Sequence, residues 1–232
     1  MGWMIVSSCI ALVALYKSPL GIFLRSPLNY LIIPAIVVLS LAWNLRAHLP
    51  SAATEGWVDL SFHFFGSSLL VAMFGLWPAL VILFFVAIFG IFVISGNLTE
   101  AATHYIFAGV LPAFIACLVI DMIRRFMPKH LFILILGNGY MAAFSGTFVC
   151  GMLIYALQQM LGLQSLSTVD PVGWIMALII LSFSEGSMSG MLLAIFLIYR
   201  PNWVPTYDEH AYLNKKEHAP TEEINKTATK NH

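Results

Sequence analysis

The chain has 232 residues, of which 60% are hydrophobic and only 9% are charged, and its formal net charge at pH 7 is zero. A soluble domain carries about a quarter charged residues, so this composition, with a mean hydropathy of +0.88, excludes a water-soluble globular protein and indicates one that contacts the lipid bilayer. No block of basic residues precedes residue 200, which argues against nucleic acid as a partner.

Seven apolar runs, separated by proline, glycine or charged residues, predict an all-α, polytopic membrane helical bundle with about seven transmembrane helices. The third and fourth runs are divided only by Leu76-Trp77-Pro78, and a proline favours the start of a new helix, so we expect a tight helical hairpin there. The runs cover residues 3–16, 29–45, 58–76, 78–95, 103–123, 131–160 and 173–199.

The bundle is assigned to residues 1–204, and residues 205–232 are assigned to a polar cytoplasmic tail. This tail is rich in Glu, Lys, Asn and Thr, and it has too few apolar residues to bury enough surface to order itself. We therefore expect the tail to be mobile.

Lysine and arginine residues predict the orientation, because short cytoplasmic loops carry an excess of them. If the loops are numbered in chain order, so that loop one follows the first run, Arg46 is the only lysine or arginine in an even-numbered loop. The N-terminus is therefore expected outside and the C-terminus in the cytoplasm. The residues that favour this orientation, in loop one, loop five and the tail, are Lys17, Arg25, Arg124, Arg125, Lys129, Arg200, Lys215, Lys216, Lys226 and Lys230.

Two histidines lie near the predicted outer ends of helices. His63 comes about one turn below the outer end of the third run, and His104 occupies the corresponding depth of the fifth run. Neutral imidazole is a suitable ligand for Zn, Cu, Ni and Co, so the pair is a candidate metal site. The alternative is that His63 is an interfacial histidine hydrogen-bonded to a loop and that His104 faces the lipid headgroups.

Glu185 lies near the middle of the seventh run, surrounded by small residues. Ionisable groups inside a bilayer are costly and usually face a partner or a pathway. The GxxxG pattern of Gly186 and Gly190 allows close helix packing, and Gly137-Asn138-Gly139 indicates a similar interior face on the sixth run. Two roles remain open for Glu185, a structural hydrogen bond between helices and a place in a transport path.

Several segments between about Asp59 and Leu213 have the order and spacing of one known family. The chain resembles the substrate-binding membrane components of energy-coupling-factor transporters for cobalt and nickel, especially their stand-alone relatives. The segments that carry the resemblance are Phe62–Gly66 with Met73–Gly75, Ala108–Pro112, Gly137–Gly139, Ser184–Gly186 with Ser189–Met191, and Tyr199–Val204 with Tyr207–Asp208.

The resemblance implies a multi-pass component of a cobalt- or nickel-type uptake system in the inner (plasma) membrane of a bacterium. Such a component captures the divalent ion at the outer side. Import would depend on a separate transmembrane coupling protein and on ABC-type ATPase subunits, since this sequence contains no Walker motif with which to hydrolyse ATP.

The resemblance also implies a ligand set, from which this sequence departs. In the family the ion is held by the free N-terminal amine, by a histidine at the second position and by a histidine corresponding to His63. Here the second residue is Gly2, so the family's square-planar nitrogen site cannot be assembled in the same way. His104, where relatives often have Asn, is a hypothetical substitute ligand. Either an upstream segment precedes Met1, or the protein has abandoned that site.

Two other function classes are alternatives to metal transport. The alternative function is a non-transporting accessory or assembly subunit of a larger membrane complex, which the absent Met-His start favours. An intramembrane enzyme is disfavoured, although Ser145-Gly146 and Ser189-Gly190 resemble membrane serine-protease motifs. A serine nucleophile needs a base within hydrogen-bond reach, and both histidines belong to the predicted outer layer. We expect no enzymatic activity. The divalent metal is expected to be the transported ligand.

Overall fold

The computed structural model describes residues 2–18, 21, 28–43, 47–50, 57–60, 66–92, 96–160 and 171–207. A hairpin of β1 (Ala47–Pro50) and β2 (Trp57–Leu60) pairs antiparallel, with Ala47 opposite Leu60. The helices in chain order are α1 (Gly2–Lys17), α2 (Leu28–Ala42), α3 (Ser67–Phe74), α4 (Leu76–Ala87, continued by the π-helical Ile88–Phe92), α5 (Leu98–Phe126), α6 (Leu131–Ile133, the π-helical Leu134–Met141 and Ala142–Met160) and α7 (Pro171–Tyr199).

Three of these helices are long and apolar enough to cross a membrane, judged by length and composition: α5, the Leu131–Leu157 part of α6, and α7. A helix of about 20 residues spans the roughly 30 Å of bilayer hydrocarbon. Large apolar side chains on α7, such as Ile180 and Phe183, are more than half exposed, as expected of a face in contact with lipid. The predicted helical class is confirmed, and contact with the lipid bilayer follows from these helices.

Helices α5 and α6 are antiparallel, because contacts join the start of one to the end of the other. The thiol of Cys150, late in α6, donates to the carbonyl oxygen of Phe107, early in α5, at 3.1 Å. Gly137, early in α6, lies against the side chain of Ile123, late in α5. The short segment 127–130 that joins them is consistent with this hairpin.

Helices α6 and α7 are also antiparallel and pack through glycines. A Cβ atom built on Gly139 would lie 2.8 Å from the Cα of Gly190, and one built on Gly151 would lie 2.3 Å from a methyl group of Leu178. Gly186 likewise faces α6. The predicted close packing of the small-residue pattern is confirmed, and α5 and α7 point in the same direction.

Helix α1 runs parallel to α5. Its last residue, Lys17, places Nζ 4.6 Å from the ring centroid of Trp77, at the start of α4. At its other end, Met4 lines a cavity together with Ile88 and with Leu98, the first residue of α5. Basic residues therefore gather at the end of the bundle where α1, α5 and α7 finish. We call this the basic end; it holds Lys17, Arg124, Arg125, Lys129 and Arg200.

The third predicted run, 58–76, does not form one continuous helix. Residues 58–60 belong to β2, and α3 runs from Ser67 to Phe74, a length of about 12 Å. Gly66 and Gly75, with φ of 57° and 85°, flank α3 in conformations that L side chains rarely adopt. Gly75 separates α3 from α4, so the two runs form distinct helices, with Pro78 in the first turn of α4, and the tight hairpin stays a prediction.

Tyr105 ties α5 to α4 inside the bundle. Its side chain is 1% exposed, and its hydroxyl donates to the carbonyl oxygen of Leu80 at 3.2 Å. We expect Tyr105→Phe to lower the free energy of unfolding by about 0.5–1.5 kcal/mol, because a buried acceptor loses its donor. Denaturant titration in detergent micelles measures this. Tyr16→Phe is the control, since Tyr16 is 91% exposed; an equal change in both variants would contradict the prediction.

Candidate functional site

The carboxylate of Glu185 lies in the middle of the bundle. Glu185 is 14 residues from both Pro171 and Tyr199, or about 21 Å from either end of α7. Its side chain is 3% exposed. Its Oε1 accepts a hydrogen bond from the backbone N–H of Gly66 at 3.0 Å, across 119 residues of sequence. An ionisable side chain of one long helix, α7, therefore accepts a hydrogen bond from the backbone at the start of α3.

Helix α3 is a half-length helix that starts at this depth. It begins after Gly66, beside Glu185, and runs towards the basic end, where the hydroxyl of Thr206 donates to the carbonyl oxygen of Ala72. All eight of its residues are buried. The N-terminus of a helix carries partial positive charge and unpaired N–H groups. Glu185 supplies the acceptor that no local side chain provides, since Gly66 has no side-chain cap.

Further buried polar side chains lie on α3, α6 and α7, and we call this set the buried polar layer. Each is at most 2% exposed, and each has a side-chain oxygen without a hydrogen-bond partner in the described part of the chain. Buried polar atoms in native proteins are nearly always satisfied, so such a group suits ordered water or a polar ligand. The members of the layer, apart from Glu185, are Ser67, Ser68, Asn138, Thr147 and Ser189.

Contacts between helices hold this layer together. The Ser68 hydroxyl oxygen and the carbonyl oxygen of Pro112 each lie 3.1 Å from where a Cβ on Gly146 would be, so α3, α5 and α6 meet at this point. The contact of Gly139 with Gly190 brings α7 to α6 beside Asn138 and Ser189. Together with the bond from Gly66 to Glu185 on α7, these contacts bring four helices to the start of α3.

His104 lies in the second turn of α5, whose start is capped by Asn97. The Asn97 side-chain oxygen accepts from the backbone N–H of Thr99 at 3.0 Å and of Glu100 at 3.4 Å. His104 is half-buried. Pro112, which contacts the buried polar layer, comes eight residues later, or about 12 Å further along the axis. His104 is thus displaced from that layer towards the end opposite the basic end.

His63, the other predicted ligand, lies outside the described residues, so the predicted His63–His104 pair stays a prediction. The described residues contain no group of three or more His, Cys, Asp or Glu side chains that could hold a metal ion. The predicted tail likewise lies outside the described residues from residue 208 onward.

A cavity of about 190 Å³ between α1, α4 and α5 was not foreseen from the sequence. It lies next to His104 along the chain, since Ala102 and Tyr105 line it, and its walls are mostly apolar. No periodicity or motif marks it, because it depends on how three helices meet. The bond from Gly66 to Glu185 was also missed; its one sequence signal is a glycine directly after the Phe62–Phe65 segment.

Comparison of the chain with protein-family models, with curated proteins and with solved structures finds no match.

Proposed function

We propose that this chain is a membrane component of a divalent transition-metal uptake system of the cobalt or nickel type. In this proposal it binds the ion on the outer side through His63 and His104 and depends on separate energy-coupling subunits, a transmembrane coupling protein and ABC-type ATPases. The observation that carries the proposal is the start of α3 in the middle of the bundle, beside Glu185. Helices that begin part-way through a bilayer occur where a membrane protein binds its cargo.

The position of α3 bears on His63 through covalent geometry alone. Gly66 comes three residues after His63, and consecutive Cα atoms are about 3.8 Å apart, so their Cα atoms can be at most about 11 Å apart. His104 lies about 12 Å from the same layer along α5. A metal ion held by both imidazoles is compatible with these limits.

The orientation in this proposal follows from the basic end. Lysine and arginine mark the cytoplasmic ends of membrane helices, so the end that holds Arg124, Arg125 and Arg200 faces the cytoplasm. The starts of α1, α5 and α7 then face outwards, and His104 lies in the outer half of the bundle. An ion captured from outside would reach His104 before it reached the depth of Glu185.

Metal titration of the purified protein in lipid nanodiscs tests the proposal. We expect Co²⁺ or Ni²⁺ to bind, and we expect His63→Ala and His104→Ala each to weaken binding at least about tenfold. Loss of a residue that only hydrogen-bonds to a metal ligand already lowers metal affinity about 10–100-fold. His130→Ala is the matched control, because His130 is exposed in the segment that joins α5 to α6 and its Nδ1 accepts only a local N–H, that of Phe132.

Two results would contradict the proposal. The site assignment fails if His63→Ala binds the metal as tightly as the unchanged protein. The function fails if neither metal binds and affinity purification from native membranes yields a stable complex without coupling or ATPase subunits. That second result would favour the accessory or assembly role instead.

A further inference from the structure

The cavity between α1, α4 and α5 forms where all three helices present small side chains to one another. Its lining residues recur at intervals of three or four along each helix, so each helix contributes a single face. Ala87 on α4 and Ala101 and Ala102 on α5 reach only as far as Cβ, and the facing residues of α1 include two serines. Native interiors contain few voids larger than a water molecule, so a cavity of about 190 Å³ indicates an occupant.

The polar groups in the cavity wall already have partners. The Ser7 hydroxyl donates to the backbone carbonyl oxygen of Met4 at 3.0 Å, and the Tyr105 hydroxyl donates to that of Leu80 at 3.2 Å. The Met4 sulfur accepts from the hydroxyl of Thr99 at 3.8 Å. Among the described residues that line the cavity there is no carboxylate, amine or imidazole. The wall therefore offers little to a metal ion or a polar ligand and suits a hydrocarbon.

The cavity reaches the surface of the bundle between α1 and α5, because two of its lining residues, Ser8 and Leu98, are exposed. Ile5 and Leu12 lie one turn before and one turn after Ser8 on α1, and both are more than half exposed. Large apolar side chains that are exposed in this way on a bundle in the bilayer lie against lipid. Lipid tails are therefore what lies next to the opening.

We propose that this cavity is a lipid site that takes the end of one phospholipid acyl chain, which enters past Ser8 and Leu98. An apolar cavity of about 150 Å³ stays dry and binds a molecule of the size of benzene, so about 190 Å³ has room for the last few carbons of a chain. The chain contacts α1, α4 and α5 at once and fills the space that the alanines leave. The inference is independent of metal transport, since His104 does not line the cavity.

Photolabelling from the lipid phase tests the proposal on the whole protein. The protein is placed in nanodiscs of phosphatidylcholine whose acyl chain carries a diazirine near its end, and mass spectrometry after illumination locates the modified residues. We expect label on Ala87, Ala101 and Tyr105, which are each at most 3% exposed and are reached from inside the cavity. Exposed residues such as Leu118 and Ile180 should be labelled as well, and they report contact with bulk lipid.

Ala102→Leu should block the site, because its three additional carbons enter the cavity that Ala102 lines. We expect the label on Ala87 and Tyr105, relative to that on Leu118, to fall at least about tenfold, since displacing two methylene groups already changes a binding equilibrium by about that factor. Ala156→Leu is the matched control. It makes the same change at an exposed position of α6 that does not line the cavity, and it should leave the labelling unchanged.

Two results would overturn the lipid site. If the buried lining residues carry no label while Leu118 does, the cavity is empty or holds something other than an acyl chain. If Ala102→Leu keeps the label, the acyl chain does not occupy this cavity. Should Ala102→Leu not fold, Ala101→Val, which adds two carbons in place of three, is compared with Ala156→Val in the same way.

Discussion

Trp43→Ala is expected to lower the free energy of unfolding by about 3–5 kcal/mol, the usual cost of truncating a fully buried tryptophan. Trp43 follows α2, is 1% exposed, and is among the largest fully buried side chains of the described residues. Its ring edge lies 3.6 Å from where a Cβ on Gly109 would be, so it packs α2 against α5. Helix association inside a bilayer depends on such contacts, because lipid offers no hydrophobic driving force between helices.

Denaturant titration in detergent micelles, compared with Trp3→Ala, measures this effect. Trp3 is the same residue type in a helix, but it is 47% exposed, and its main aromatic contact is with Phe107 at 5.6 Å between ring centroids. Its truncation leaves no enclosed cavity. If both variants lost the same stability, the burial of Trp43 would not be what holds α2 in place.

The positions of most helices could be predicted from the sequence because a bilayer imposes a simple rule. Each spanning helix needs a long apolar run, and such runs are visible without any tertiary information. The runs 103–123 and 173–199 correspond to α5 and α7 with ends shifted by only a few residues. Helix ends depend on capping side chains such as Asn97, which a hydropathy pattern does not weigh.

The break in the third run could not be predicted in this way. Residues 67–74 are as apolar as a spanning helix, and hydropathy does not distinguish a half-length helix from a full one. What ends the helix at both sides is the backbone at Gly66 and Gly75, and at Gly66 that conformation depends on a partner 119 residues away. A contact of that separation leaves no trace in local composition.

The candidate site, like the helices, could be predicted from the sequence only in part. Glu185 is conspicuous in the sequence because an ionisable residue in an apolar run is costly. One of its two possible roles, a structural hydrogen bond to another segment, is present in the bond to the N–H of Gly66. The role in a transport path remains a proposal. The hydroxyls around it did not stand out, because serine and threonine are common in membrane helices. Only packing shows that Ser67, Ser68 and Ser189 are buried and that their hydroxyl oxygens have no hydrogen-bond partner among the described residues.

These observations give the bundle two parts with different properties. The close contacts of α6 with α7 make a tightly packed part. The junction of α3 with Glu185 lies near polar oxygens that have no hydrogen-bond partner in the part of the chain that the structure describes, and it includes a bond between segments distant in sequence. Local opening is easiest where few contacts oppose it. We therefore expect α6 and α7 to be the more rigid part of the bundle, a frame held by their glycine contacts.

Gly139→Ala tests that frame, and we expect it to lower the free energy of unfolding by about 1–3 kcal/mol. The added Cβ would lie 2.8 Å from the Cα of Gly190, a backbone atom that can move only if α6 and α7 separate. Gly173→Ala is the matched control, because nothing lies within 4 Å of a Cβ there and alanine favours helix more than glycine does. Its stability should be unchanged or slightly raised. Unfolding titrations of both variants in the same detergent should therefore show a loss of stability for Gly139→Ala alone. Equal stability of Gly139→Ala and the unchanged protein would mean that the two helices do not pack through these glycines.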